Sequence, residues 1–302
     1  MLVTSRSASV TGLLPGLCLV GISAGLYFPS GVATLTGLVS HEHWGQTLAV
    51  HEMAPNLAFL TAPLLVEALL KFTPWRGILA ILGLSAITMA VLFFFFGPER
   101  HEKGEAPNPR AIRRILRDLS FWLMAAVFAL AVGAESGVYA MLPLFLVNEV
   151  GFRRESANTL VGLSRLSGVL ILFFSGVITD RIGHKRATVV FLAAMGTLTV
   201  MLGLLRGSLI TPALMILQAT SLPCFFPAAL AMISLVFPHH LRSLGVSMIG
   251  LVAILAGVGV IPFGIGKLAE RLSFSFGFSL LGILILTTLP LISRLQTQKE
   301  PG

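Results

Sequence analysis

The sequence predicts an all-α membrane protein of about nine spanning helices, and three observations predict it. Only 11% of the 302 residues are charged, 55% are hydrophobic, and the mean hydropathy is +0.91. A water-soluble domain needs about 25% charged residues to cover its surface, so lipid is the main solvent of this chain. Nine apolar stretches of about 20 residues or more follow one another along the chain, and the first three of them recur in the last three at a near-constant offset.

The stretches lie at roughly 12–39, 46–70, 76–97, 119–147, 157–179, 187–206, 209–237, 243–266 and 273–293. At 1.5 Å per residue, each can cross a hydrocarbon core of about 30 Å. They are helices because lipid offers a backbone no hydrogen-bond partner outside its own segment. The N-terminus, MLVTSRSASVTGLLPGLCLVGISAG, imitates a secretory signal by placing Arg6 before an apolar run. That run continues to about Val39, whereas a signal's apolar region ends after roughly 7–15 residues, so it reads as a spanning helix. The two cysteines, Cys18 and Cys224, stand inside apolar runs, which predicts buried thiols and no disulfide framework.

The net charge of +8 raises nucleic acid as a partner, and the distribution of the bases argues against it. Six of the 21 lysines and arginines fall between Arg100 and Arg117, and no aromatic-basic stripe accompanies them. This is the positive bias of membrane-protein loops. The one long connection, residues 98–118, sets Ile112, Ile115, Leu116 and Leu119 on one helical face and Arg110, Arg113, Arg114 and Arg117 on the other. Such a basic amphipathic helix suits a cytoplasmic membrane surface. With that loop inside, alternation puts twelve Lys/Arg on the inner side, eight outside and Arg165 within a span, with the C-terminus cytoplasmic.

The repeat is read residue by residue. Tyr27-Phe28-Pro29 matches Phe225-Phe226-Pro227 at 198 positions, and Leu38-Val39 matches Leu235-Val236 at 197. Ala62-Pro63 matches Ile261-Pro262, and Leu82-Gly83-Leu84 matches Leu281-Gly282-Ile283, both at 199. A steady offset over three helices signals a parallel duplication. It predicts partners for the spans at 119–206 some 198 positions earlier, before residue 1, so the sequence reads as a partial chain.

Two six-helix halves joined by a basic loop resemble the major facilitator superfamily. Its signature between the second and third helices of each half, Gly-x-x-x-Asp-Arg-x-Gly-Arg-Lys/Arg, is matched by Gly176, Asp180, Arg181, Gly183 and Lys185 in GVITDRIGHKR. His184 replaces the usual Arg, with Arg186 two positions on. The resemblance implies that family's general-substrate-transporter fold without its first three helices. Residues 1–97 then form an incomplete N-terminal half, 98–118 the central loop, and 119–302 a six-helix half. It also implies that the signature loop latches the outward-facing state. Physically, Gly176 admits a neighbouring helix, Gly183 permits a turn with positive φ, and Asp180 can cap an adjacent helix N-terminus.

Ionisable groups inside a span cost several kcal/mol unless paired or hydrated, which marks candidates for substrate or proton coupling. Glu135, flanked by Gly133 and Gly137, is the first. Arg165 differs from it in depth by about 6 Å, within reach of two long side chains. His51 and Glu52 lie in the second span, where Pro55 excludes a zinc-protease HExxH motif. Tyr27 sits beside Pro29 in a helix resembling a cavity-lining one; Phe225 at the repeat position suggests packing instead. His41, His43, His239 and His240 read as interfacial, not metal-binding, and no cofactor site or catalytic cluster is evident. The expected function is secondary active transport of a small solute by alternating access, with protons as a candidate second partner and no enzymatic step. The alternative is a truncated membrane fragment or interaction partner that transports nothing.

Overall fold

The computed structural model describes residues 1–7, 9–97, 108–293 and 295, all helix or short connection. One helical turn, α1 (Leu2–Ser5), precedes three long helices, α2 (Val10–Leu38), α3 (Trp44–Leu70) and α4 (Trp75–Phe96). A short helix α5 (Pro109–Leu116) leads into α6, which runs from Leu119 to Val150. Then come α7 (Arg154–Ile182), α8 (His184–Leu204) and α9 (Ile210–Val236). Helix α10 runs from His239 to Arg271, and α11 (Phe274–Thr287) and α12 (Leu289–Ser293) are the last of the described helices.

Among the described residues, seven helices are long and apolar enough to span a membrane, or eight counting α7, which bends by 45° between Leu172 and Phe174. The remaining expected span is α3, whose 27 residues reach about 40 Å at 1.5 Å each. Helix ends fall where the local chemistry stops them. The hydroxyl of Ser9 accepts from Gly12 N at the start of α2. Asn108 caps α5 with Pro109 in its first turn, Asp118 caps α6, and Ser273 caps α11. Gly151 (φ 87°) ends α6 and Gly183 (φ 88°) separates α7 from α8, both in the region that favours glycine.

The core lies among α6 to α11. Helix α9 runs through its middle against α7 and α8, while α11 lies along α8 and α10 along α6. Phe225 and Phe226 stack edge-to-face on Phe128 at 5.4 and 6.2 Å between ring centres. The first three spans attach to this body along two seams, α3 on α7 and α9, and α2 on the start of α10.

Two expectations need correction. Cys224 is buried, but Cys18 is exposed on α2, because that helix has few protein neighbours to cover it. The basic amphipathic helix is present as α5, yet its apolar side docks on α6 and α10, which buries Ala111 and Ile115 against protein. Arg100, Lys103, Arg294 and Lys299 lie outside the described residues.

Candidate functional site

At the signature-loop end, the start of α3 packs beside the end of the antiparallel α7. The first amides of a helix have no partner within it and carry partial positive charge. Asp180 supplies the partner: Gly45 N donates to Oδ1 at 2.6 Å and Gln46 N to Oδ2 at 2.9 Å. The backbones come this close because both surfaces are glycine. A Cβ on Gly45 would stand 2.7 Å from Gly176 O, and one on Gly176 would stand 2.8 Å from Gly45 O. Arg181 and Arg186 are exposed, while Lys185 donates to Leu295 O at 3.0 Å, holding the C-terminal segment to the loop.

Beside this contact lies an aromatic and basic cluster. His184 meets the His41 ring edge-on at 4.5 Å and stacks 6.1 Å from Trp44. The Arg242 guanidinium lies 4.9 Å over Trp44 and donates to Thr36 Oγ1 at 3.3 Å. At the repeat offset of 198, Trp44 corresponds to Arg242. A residue that touches its own repeat-mate lies near the approximate two-fold axis relating the two units. Gly45, Trp44 and Arg242 escape a reading by motif; the offset was the available signal for the last two.

Deeper in the bundle, α6 widens into a π-type turn at Gly133–Gly137, a local defect that frees backbone carbonyls and often marks function. Glu135 sits in it. Arg165 of α7 approaches Glu135 Oε1 at 3.3 Å, donates to the Glu135 backbone oxygen at 3.3 Å, and lies 4.0 Å over the Tyr139 ring. Buried Gln218 of α9 donates to Ala134 O at 3.4 Å. Helix α10 carries a matching wide turn at Ile254–Val260, and the two pack through glycine. A Cβ on Gly133 would meet Ile261 at 2.4 Å, and one on Gly257 would meet Ala129 O at 2.8 Å. The two side chains of the pair are 12% (Arg165) and 15% (Glu135) exposed.

His51 and Glu52 are neighbours that face opposite ways. His51 lines a cleft of about 840 Å³ between α2, α3 and α4, with Tyr27, Ser30, Met89 and Phe93. Tyr27 is 63% exposed, its ring 6.0 Å from His51, whereas its repeat-mate Phe225 is fully buried. Glu52 is 7% exposed and turned into the protein. At the opposite end of the bundle, Glu149 takes the Phe274 and Ser275 amides and the Ser275 hydroxyl at the start of α11, with Arg206 at 3.4 Å. That cap gave no sequence signal, because an acid at a span's end looks like an ordinary loop residue. Among the described residues, no three His, Cys, Asp or Glu side chains gather where a metal could sit.

A family model described as Major Facilitator Superfamily matches residues 1–220. Among solved structures, the chain superposes on a variant of the E. coli fucose:proton symporter FucP with a TM-score of 0.79 at 12% identity, covering 97% of this chain and 81% of that one. FucP in the outward conformation gives 0.76 at 13% identity, with 97% and 79% covered. A bacterial homologue of the iron transporter ferroportin in its outward-facing state gives 0.72 at 17% identity, with 97% and 75% covered. Identities this low speak to fold alone. No curated protein sequence matches the chain.

Proposed function

The chain belongs to the major facilitator superfamily, a family of multi-pass membrane transporters, and on that premise we propose that it moves a small solute across the cell membrane by alternating access, coupled to protons, with no enzymatic step. One observation carries the coupling: the Arg165–Glu135 pair, mostly buried at a widened turn of α6. Removing two charges from water costs several kcal/mol per ion, and their attraction offsets this only in good geometry. At 3.3 Å, with one Arg165 bond going to a backbone carbonyl, the pair is held yet accessible to a competitor. Protonating Glu135 would cancel its charge and release the guanidinium to a polar group of the solute.

Residues 1–97 and 119–302 act as the two moving units in this reading, joined by 98–118, with the signature-loop end and the C-terminus in the cytoplasm. Asp180 on the α3 N-terminus, with Trp44 and Arg242 beside it, closes the inner mouth. Opening that mouth breaks the two amide bonds to the Asp180 carboxylate, the Arg242–Thr36 hydrogen bond, and the Arg242–Trp44 and His184 ring contacts, each worth about 0.5–3 kcal/mol, a balance that a bound solute can shift.

The test is uptake in proteoliposomes loaded with a pH-sensitive dye and challenged with a panel of small polar solutes under an imposed pH gradient. Wild type should move a solute and protons together, while Glu135→Gln and Arg165→Ala should lose the coupled flux at unchanged protein content. Undiminished uptake by both variants would overturn the role of the pair. A wild type that moves no solute would favour the interaction-partner reading.

A further inference from the structure

The side chain that the pair does not use is Glu52. It lies on the face of α3 turned to α7 and α9, and its Oε1 is buried with no hydrogen-bond partner. Its backbone oxygen accepts from Asn56 Nδ2 at 2.9 Å. The contacts of Gly45 with Asp180 and of Ala49 with Gly176 fix α3 antiparallel to α7. Seven residues beyond Gly45, Glu52 is level with about residue 172 of α7, roughly 10 Å along the axis from Arg165. That sets it about two helical turns from the level of the Arg165–Glu135 pair.

Every helix packed on α3 can be searched for a counter-charge. Helix α7 brings Arg165, engaged with Glu135, and Asp180, itself an acid and engaged with the α3 backbone. Helix α9 carries no charged residue, only the neutral Gln218 and the Cys224 thiol. Helix α2 has none either, its titratable side chains being Cys18 and Tyr27, and Arg76 of α4 donates to Ser7 O at the opposite end. On α3 itself His51 faces the cleft, and Arg242 of α10 lies over Trp44. With Glu52, Glu135 and Arg165 all ionised, the site holds a net charge of −1 in an apolar seam. An ionised carboxylate buried without a partner is costly enough that the group neutralises instead.

We propose that Glu52 is a proton-binding site in its own right, occupied while α3 is packed on α7 and emptied to water when that seam opens. The step is a plain dissociation: the O–H bond of the Glu52 carboxyl breaks, the proton goes to water, and the carboxylate stays on α3. With Glu135 ionised in its pair with Arg165, the closed site then holds one proton, on Glu52, and carries no net charge. The inference rests on the alternating-access reading for the emptying step, but not for the occupancy.

Occupancy can be read without a solute. Infrared difference spectra of the full chain in lipid, between neutral and alkaline pH, should show the carbonyl stretch of a protonated carboxylic acid. Glu52→Gln should lose that band, Glu52→Asp should shift it, and Glu149→Gln, at the opposite end of the bundle, should keep it. A Glu52→Gln spectrum identical to wild type, or a band lost only in Glu135→Gln, would overturn the proposal. So would a band abolished by sodium at constant pH, which would assign the site to a metal cation. Thermal unfolding of the Asp variant guards against reading misfolding as loss. Failure of uptake with the band intact would sink the transport reading and leave this site standing.

Discussion

Helices α2 and α9 are repeat-mates with nearly the same vocabulary, yet they live in different surroundings. In the most apolar window of α2, 6% of residues are buried within the protein; in that of α9 the share is 78%. Both are apolar around their whole circumference, as a helix in lipid must be, so composition alone does not tell a lipid-facing helix from a central one. What separates them is the neighbours. Helix α9 is enclosed by α7, α8 and α3, whereas α2 touches α1, α3, the start of α10 and, more lightly, α9 itself. The same residue types therefore pack in one place and lie open in the other, and substitution can measure the difference.

The largest effect should come from the aromatic mates. Phe225→Ala removes a fully buried ring from the Phe128–Phe226 cluster and should cost about 3–5 kcal/mol, seen as a large fall in the thermal midpoint in detergent. Tyr27→Ala, at 63% exposure, should leave that midpoint nearly unchanged. Equal losses would erase the contrast. Next in size is glycine. Gly176→Ala forces a methyl against the Gln46 and Gly45 backbone and should cost about 1–3 kcal/mol, whereas Gly21→Ala and Gly25→Ala in α2 meet open space and should gain up to about 1 kcal/mol.

A smaller effect distinguishes the two acidic caps. Asp180→Asn weakens a contact between the two units and should cost about 0.5–2 kcal/mol. Its sharper signature is faster maleimide labelling of a cysteine placed at buried Thr36, in a chain whose two native cysteines are replaced by serine. Glu149→Gln weakens a cap inside the six-helix body, so labelling at that cysteine should not change. Smallest of all in its global effect, Ile115→Ala should release α5 from α6 and α10 and make its backbone proteolytically accessible while leaving the global thermal midpoint nearly unchanged.

How far these features were legible follows from what each depends on. Helix positions depend on local hydrophobicity, and the expected stretches match the helices to within a few residues, as with 46–70 against Trp44–Leu70. The separation of Glu135 and Arg165 depends on depth alone, and counting from span ends placed them within reach of the 3.3 Å contact that exists. Gly45 was not legible, because its significance is the partner backbone it meets and not its own segment. Nor was the direction of Glu52, since neither face of an apolar helix advertises which neighbour it will find. The wide turns at Gly133 and Ile254 are invisible to periodicity, because one extra residue in a uniformly apolar run leaves the pattern intact. The cleft-facing Tyr27 shows the opposite failure, where a repeat suggested shared packing and the surroundings differ.

The stacking of Arg242 on Trp44 joins two equivalent positions across the approximate axis, and this has a metrological consequence. When two such units pivot apart, equivalent points recede by equal amounts in opposite directions along the line between them. A pair of spin labels at equivalent positions beside this contact, leaving Trp44 and Arg242 in place, therefore acts as a ruler whose zero is the closed mouth. Its reading doubles the displacement of either unit and is insensitive, to first order, to their twisting about the axis.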